Sequence, residues 1–252
     1  MEAEEDKMVE HAKKAIETLT DKKKNRKEKI GDFLLEILII IIAVNITIWF
    51  HNWSEQRHER ALEKEFLIGT WEDLSINRQN LDVSGFQATI DYYDSVWAHI
   101  KDHRIDKAYV DTNSFALVNT SYFIYDNSRF ENFKSSGYLR LIENETLAKN
   151  ITRLYANDLP WRVEMDNTFF NEIRQNFTTY IGSKVRIDSS GFMYVSELLN
   201  DPGVQFHIYF YGMVLKQRQN QMHNLSLRAG EVMDEIDKEL KERFGYDISP
   251  KK

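Results

Sequence analysis

One apolar run near the N-terminus constrains this chain more than any other feature. Residues 30–53 read IGDFLLEILIIIIAVNITIWFHNW, although the mean hydropathy of the whole chain is −0.53. As a helix at ~1.5 Å per residue, Ile30 to Phe50 would extend about 31 Å, close to the roughly 30 Å of bilayer hydrocarbon. The run therefore predicts one transmembrane helix.

Two other interpretations of the run were weighed against this one. A secretory signal peptide would begin nearer the N-terminus and end in small residues, whereas this run ends in aromatic residues. Trp49 and Trp53 are predicted to be interface anchors, since Trp is enriched at membrane–water boundaries. A core helix of a soluble protein is the remaining alternative, because Asp32, Glu36 and Asn45 interrupt the run.

Basic residues flank the run unequally, with six in residues 15–29 and three in residues 54–68. Because basic flanks are retained in the cytoplasm, we expect a cytoplasmic tail (1–29), a transmembrane helix (30–53) and a periplasmic domain (54–252). The residues predicted to set this topology and to contact lipid are Lys22, Lys23, Lys24, Arg26, Lys27 and Lys29. Apolar residues at helical spacing within the tail predict a short amphipathic helix before this basic segment. A frayed tail with modest helicity is the alternative.

The rest of the chain has the composition of a helical protein. Its ten Gly and three Pro among 252 residues fall well below the roughly 12% combined usage of ordinary domains. Leu67, Trp71, Leu74 and Leu81 repeat at helical spacing, as a bundle face or a coiled-coil seam requires. We predict a mainly α fold, in which the transmembrane helix continues into a bundle-like domain outside the membrane.

Local signals divide that domain into further helices. One is expected from Ser84 to Lys101, and two longer ones from Trp161 to Ile181 and from Gly203 to Arg243, with a possible split at Gly230. Region 103–128 is irregular, and short strands or a long ordered loop both fit it. Three local signals are also assigned, a C-cap at Gly137, an N-cap at Asn144 and a helix boundary before Pro160.

Three polar residues inside the apolar run are the candidate contact residues: Glu36, Asn45 and Thr47. A carboxylate in a membrane span is costly unless it is neutral, paired or close to the interface. Glu36 is therefore expected to reach the cytoplasmic surface, to contact a partner helix or to serve a proton or ion path. Asn45 and Thr47 are expected to hydrogen-bond across helices in an oligomer or a complex.

The composition excludes several kinds of chemistry. The chain has no cysteine, which excludes disulfides and thiolate chemistry, and its net charge of −7 disfavours a nucleic-acid partner. His99 and His103 could share a helix face, but two ligands do not make a metal site. Nucleotide-binding loops and hydrolase motifs are missing. We therefore assign no catalytic residue, no metal and no cofactor.

Aromatic residues cluster at residues 121–125 and 206–213. Most of them are expected in a core, and the rest on a surface that contacts a protein partner.

Several short motifs lie along the first two thirds of the chain. They are Glu36 near the start of the apolar run, Asn52-Trp53-Ser54-Glu55, Leu62-Glu63-Lys64-Glu65-Phe66-Leu67, Phe133-Lys134-Ser135-Ser136-Gly137 and Leu141-Ile142-Glu143-Asn144. Together they resemble an uncharacterised family of single-pass membrane proteins abundant in Bacteroidetes. The resemblance covers about residues 30 to 155. It implies a single-pass topology in a bacterial inner membrane, and it implies no reaction.

Together these features favour a non-enzymatic, membrane-anchored assembly or accessory protein. Its expected partners are the lipid bilayer and either another protein or further copies of the chain. A periplasmic ligand-sensing module that signals through a partner is one alternative. An accessory subunit of an ion- or proton-conducting complex that uses Glu36 is another.

Overall fold

In the computed structural model the described residues are 13, 26–81, 84–104, 106–117 and 123–248. These residues are mainly helical and contain no β-strand; one isolated antiparallel bridge joins Ile187 and Met193. The predicted mainly α fold is therefore confirmed for the part of the chain that the structure describes. The amphipathic helix predicted in the tail lies outside these residues, apart from Lys13.

The described residues form seven α-helices and four shorter helical segments. The α-helices are α1 (Arg26–Asn80), α2 (Ser84–Lys101), α3 (Lys107–Thr112), α4 (Ser128–Ser135), α5 (Glu145–Arg153), α6 (Leu159–Gly182) and α7 (Pro202–Phe244). The shorter segments are the 3-10 helices Ser114–Leu117, Tyr138–Leu141 and Val195–Leu198 and the π-helical turn Leu154–Asp158.

The chain divides into two compact units, Met1–Leu62 and Glu63–Lys252. In the first unit, the described helix is the N-terminal part of α1, which carries the apolar run. The helix does not end where the run ends, because α1 continues to Asn80. The predicted continuation of this helix is confirmed.

The second unit contains two apolar cores. The first core joins the C-terminal part of α1, helices α4 and α5, the π-helical turn and the C-terminal part of α7. The second core joins α2, α3, the C-terminal part of α6 and the N-terminal part of α7. Helix α7 thus contributes to both, with Val204 to Leu215 in the second core and Met222 to Leu240 in the first.

The predicted apolar face of α1 is confirmed at Leu67, Leu74 and Leu81, which are at most 1% exposed. Trp71 is only half-buried. Buried polar residues lie beside these leucines at the same seven-residue spacing, at positions that the predicted pattern did not include, namely Glu63, Thr70 and Asn77. Two of them have long-range partners: the amide of Asn77 exchanges two 2.9 Å hydrogen bonds with the backbone of Asp126, and Glu63 pairs with Arg243. The buried Thr70 hydroxyl has no hydrogen-bond partner among the described residues.

Most predicted helix ends agree with the structure. Helix α2 has the predicted bounds, and Asn144 caps α5 by accepting a hydrogen bond from the Leu147 backbone N–H at 3.1 Å. Gly137 and Gly245 follow α4 and α7 with φ values of 73° and 61°, the left-handed conformation that ends a helix.

The helix boundary predicted before Pro160 is wrong. Asp158 and Leu159 keep helical dihedral angles, and Pro160 lies in the first turn of α6. The π-helical turn joins α5 to α6 directly at this point. Because proline has no N–H to donate to the preceding turn, the wider π-helical turn accommodates it without ending the helix.

Two other local expectations also need correction. The described part of region 103–128 contains α3 and a 3-10 turn instead of strands. Gly230 does not split α7. A Cβ at Gly230 would lie 3.3 Å from Cζ of Arg78, so the glycine permits close approach of α1 and α7.

Candidate functional site

The apolar run of α1 is exposed. None of its most apolar 18-residue window is buried, and the exposed fractions of Leu38, Ile42 and Ile46 are 54%, 49% and 60%. A core helix of a soluble protein would instead be covered by other elements, and nothing among the described residues covers this one. Among those residues α1 is also the one helix long and apolar enough to cross a membrane.

The three polar candidates lie on two sides of this helix. At about 100° per residue, Glu36 and Thr47 are about 20° apart around the axis, whereas Asn45 is about 180° from Glu36. One straight partner helix would therefore contact Glu36 and Thr47, or Asn45, but not all three. The three residues that the sequence analysis groups together therefore form two separate contact sites on the helix.

Asn45 and Thr47 each bond within their own helix. The Asn45 side-chain N–H donates to the Ile41 carbonyl at 2.7 Å, and the Thr47 hydroxyl donates to the Ala43 carbonyl at 3.0 Å. Such bonds lower the free-energy cost of placing a polar side chain in apolar surroundings. Asn45 retains its second amide hydrogen and its carbonyl oxygen for a partner.

Aromatic rings lie at the C-terminal end of the apolar run. Trp49 and Trp53 are 65% and 43% exposed, and the Phe50 and Trp53 rings are 5.7 Å apart. The Arg57 guanidinium lies 5.2 Å from the centre of the Trp53 ring. An aromatic ring beside a cation suits a membrane–water boundary.

The predicted basic segment lies partly outside the described residues. Lys22, Lys23 and Lys24 lie outside the described residues. Arg26, Lys27 and Lys29 form the first turn of α1.

His99 and His103 do not share a helix face. Helix α2 ends at Lys101, and His103 adopts a left-handed φ of 54° after it. The His99 ring packs edge-on against Tyr109 at 6.2 Å. Among the described residues no group of three or more acidic or histidine side chains is arranged to hold a metal ion.

The aromatic segment 206–213 has a buried and an exposed face. His207, Ile208 and Tyr211 are buried, whereas Phe206, Tyr209 and Met213 are 66%, 51% and 48% exposed. The exposed side forms an aromatic patch, since Phe206 stacks on Phe210 at 5.5 Å and Tyr209 lies 5.1 Å from Trp97. We call Phe206, Tyr209 and Met213 the α7 patch.

Two buried arginines share one buried aspartate between the two cores. Arg162, Asp166 and Arg218 are 3%, 1% and 3% exposed. Arg162 donates to Oδ1 of Asp166, and Arg218 donates to both carboxylate oxygens, at 3.1 and 2.7 Å. The Phe123 backbone N–H also donates to this carboxylate, at 3.4 Å. We call Arg162, Asp166 and Arg218 the buried arginine cluster.

Burial opposes the charge of this cluster. It lowers the pKa of the Arg218 guanidinium from its ordinary value, while the hydrogen bond to Asp166 acts in the other direction. Sequence reasoning missed the cluster because Asp166 is one of 40 acidic residues. The one local signal was the spacing of four residues between Arg162 and Asp166, which places them on one helix face. Arg218 lies 52 positions beyond Asp166, so its pairing leaves no local pattern.

A second buried network joins Glu63, in the interior of α1, to the C-terminal end of α7. Glu63, which is 1% exposed, accepts a hydrogen bond from Arg243 at 2.7 Å and another from the Glu143 backbone N–H at 3.0 Å. Arg243 also contacts Glu239 at 2.8 Å. Glu63 and the backbone of Glu143 therefore have a structural role here.

His207 is enclosed by aromatic rings. Its ring stacks on Phe177 and on Tyr211, and it is 9% exposed. Burial lowers the pKa of His207 to about 3. The imidazole is therefore neutral in the folded protein under ordinary conditions.

Comparison of the chain with protein-family models, with curated proteins and with solved structures gives no match.

Substitution Asp166→Asn tests the buried arginine cluster. It leaves two buried guanidinium groups without a carboxylate, and we expect the free energy of unfolding to fall by about 3–5 kcal/mol. Denaturant unfolding of the purified protein, followed by tryptophan fluorescence, measures the change.

The matched control is Asp94→Asn. Asp94 pairs with Lys216 at 2.7 Å, but both side chains are about half-exposed, at 51% and 50%. Loss of this surface pair should change the free energy of unfolding by less than about 1 kcal/mol. Equally small losses in both variants would contradict a structural role for the cluster.

The low pKa of His207 predicts that acid destabilises the domain. In the unfolded chain the His207 imidazole binds a proton near pH 6.5, whereas in the folded chain its pKa is about 3. From pH 6.5 to 4.5 stability should therefore fall, by up to about 1.4 kcal/mol per pH unit from this group. Unfolding curves at several pH values measure this slope, and it should be smaller in His207→Phe. The exposed His223, changed to Gln, is the control and should keep the wild-type slope.

Proposed function

We propose that this chain is a non-enzymatic, single-pass membrane protein that acts as an assembly or accessory component. Its apolar run crosses the membrane, and the helical, bundle-like unit beyond it lies in the periplasm. The observation that carries the proposal is the exposure of the whole apolar run. A contiguous apolar surface of this kind is rare on soluble monomers and marks contact with a membrane or a partner.

The flanks of the run support the proposed orientation. Six basic residues precede it and three follow it at comparable distance. Tryptophans and Arg57 gather at the end that faces the periplasm in this arrangement. The motif resemblance to single-pass proteins of a bacterial inner membrane agrees with this topology.

Three surfaces offer partner contacts in this proposal. The first is the Glu36–Thr47 side of the apolar run, and the second is the side that carries Asn45. The third is the α7 patch, whose exposed aromatic side chains are of the type enriched at protein interfaces. Contacts within the membrane would join copies of the chain or a partner helix.

Substitution Ile42→Arg tests the membrane anchor. A guanidinium near the middle of a transmembrane helix costs about 2.5–3.5 kcal/mol of insertion free energy. We expect the wild-type chain to stay with bacterial membranes during alkaline carbonate extraction, and a much larger fraction of Ile42→Arg to be released. Protease added to spheroplasts should remove the region beyond residue 54.

Ile76→Arg is the matched control, because Ile76 is an isoleucine of the same helix, 58% exposed, outside the apolar run. This variant should remain with the membranes like the wild type. Release of the wild-type chain by carbonate, or its full protection from the added protease, would contradict the proposed anchor or its orientation.

The intramembrane contacts are tested by two variants, one for each side of the helix. Glu36→Leu/Thr47→Val should lower the mass of a detergent-stable complex, because each lost interhelical hydrogen bond weakens association by about 1 kcal/mol. Asn45→Leu should also lower the mass, because Asn45 retains one amide hydrogen and its carbonyl oxygen for a partner besides its bond to Ile41. Multi-angle light scattering in mild detergent measures the mass.

Ile41→Leu/Ile48→Leu controls for altered packing and should keep the wild-type mass. If neither side of the helix affects the mass, the polar residues do not hold an assembly together. That result would leave the α7 patch as the interaction surface.

A further inference from the structure

A cleft lies between the C-terminal part of α1 and the middle of α7, within the second unit. Its volume is about 350 Å³, inside the roughly 300–1,000 Å³ range of small-molecule pockets. The polar side chains that line it are spaced three or four residues apart on each helix, so each helix presents them on one face. The lining residues are Ser75, Arg78, Gln79 and Leu81 of α1 and its end, and His223, Ser226 and Met233 of α7. We call this space the α1–α7 cleft.

Helix α7 fixes the position of the Arg78 guanidinium in this cleft. A Cβ at Gly230 would lie 3.3 Å from Cζ of Arg78, so the missing side chain leaves room for the guanidinium against α7. Nε of Arg78 donates a hydrogen bond to Oγ of Ser226 at 3.4 Å. Both contacts hold the guanidinium at the helix–helix junction, where a long arginine side chain would otherwise move in solvent.

Arg78 lacks the carboxylate partner that is usual for arginines of this unit. Seven other arginines of the second unit pair with a carboxylate, namely Arg129, Arg153, Arg162, Arg186, Arg218, Arg228 and Arg243. Among the described residues the one hydrogen bond of the Arg78 guanidinium is the bond from Nε to Ser226, and it has no ion pair. Its two terminal amino groups therefore keep four N–H donors for a ligand.

The other polar side chains of the cleft can also donate. Ser75, Gln79 and His223 have no side-chain hydrogen bond to another described residue. The Ser226 hydroxyl accepts from Arg78 and keeps its own hydrogen to donate. No carboxylate lines the cleft among the described residues. One positive charge and donors from both helices favour an anion that carries several acceptor oxygens.

We propose that the α1–α7 cleft binds a phosphate group, either free phosphate or the phosphate of a small organic ester. The Arg78 amino groups bind two of its oxygens through paired, charge-assisted hydrogen bonds. The hydroxyls of Ser75 and Ser226 donate to oxygens that point toward the two helices. A tetrahedral phosphate offers acceptors in all these directions, whereas a planar carboxylate has only two oxygens. The site goes beyond the proposed assembly function and does not depend on membrane anchoring.

Titration of the full-length protein in mild detergent tests this proposal. Inorganic phosphate and phenyl phosphate are added separately at constant ionic strength, and each should give a saturable rise of Tm. Tighter binding of phenyl phosphate would identify an ester as the ligand, with its organic group against Leu81 and Met233. Equal binding of the two would identify phosphate itself. Sodium acetate should bind about tenfold more weakly or less, because it has fewer acceptor oxygens and a smaller charge.

Two variants test the role of Arg78. Arg78→Gln removes the guanidinium and should weaken phosphate binding about tenfold or more, since hydrogen bonds to charged groups are the strong ones. Gly230→Ala keeps the charge, but its Cβ presses on the guanidinium and should weaken binding several-fold. Alanine favours a helix over glycine, so the second variant should fold at least as well as the wild type.

Each variant has a matched control. Arg228→Gln removes an arginine of α7 that is 45% exposed and pairs with Asp158 outside the cleft. Gly182→Ala adds a Cβ in a helix where no atom lies within 4 Å. Both controls should keep the wild-type affinity for phosphate.

Four results would overturn the proposal. The first is a Tm that neither phosphate compound raises in a saturable way. The second is equal binding of acetate, which would show general anion binding without preference for phosphate. The third is phosphate binding that survives Arg78→Gln, which would place the ligand elsewhere on the chain. The fourth is an equal loss of affinity in Arg228→Gln, which would show an effect of overall charge.

Discussion

The second unit depends on the burial of both halves of one long helix. Helix α7 has 43 residues, about 65 Å at 1.5 Å per residue, which is longer than one small core. Its N-terminal half packs with α2 and the end of α6, and its C-terminal half packs with α1 and α5. Two apolar cores therefore form along one helix, and neither is complete without α7.

The buried arginine cluster lies between those cores along α7. Arg218 follows Leu215 of the second core and precedes Met222 of the first. Burial of charges is costly, so such a group persists only where its hydrogen bonds are well arranged. Here the Asp166 carboxylate accepts from two arginines and a backbone N–H, which joins α6, α7 and the segment at Phe123.

The surfaces of the chain differ in what they can contact. The most apolar part of α1 has no buried residue, and it has only a few polar groups, of which Asn45 and Thr47 bond within their own helix. The α7 patch is aromatic and local, on the outer side of a helix whose other side is core. The first surface suits lipid or a neighbouring helix, and the second suits a protein surface. The proposed function uses both.

The sequence alone determined the helical content, the exposed apolar run and most helix ends. These features follow from local rules, namely periodicity, glycine in the left-handed conformation and capping by Asn144. Tertiary structure decided which polar residues are buried, because the pairing of Asp166 with Arg218 joins positions 52 residues apart and leaves no local pattern. The structure also shows that the helix continues past Pro160, because the π-helical turn before it accommodates a proline that has no backbone N–H.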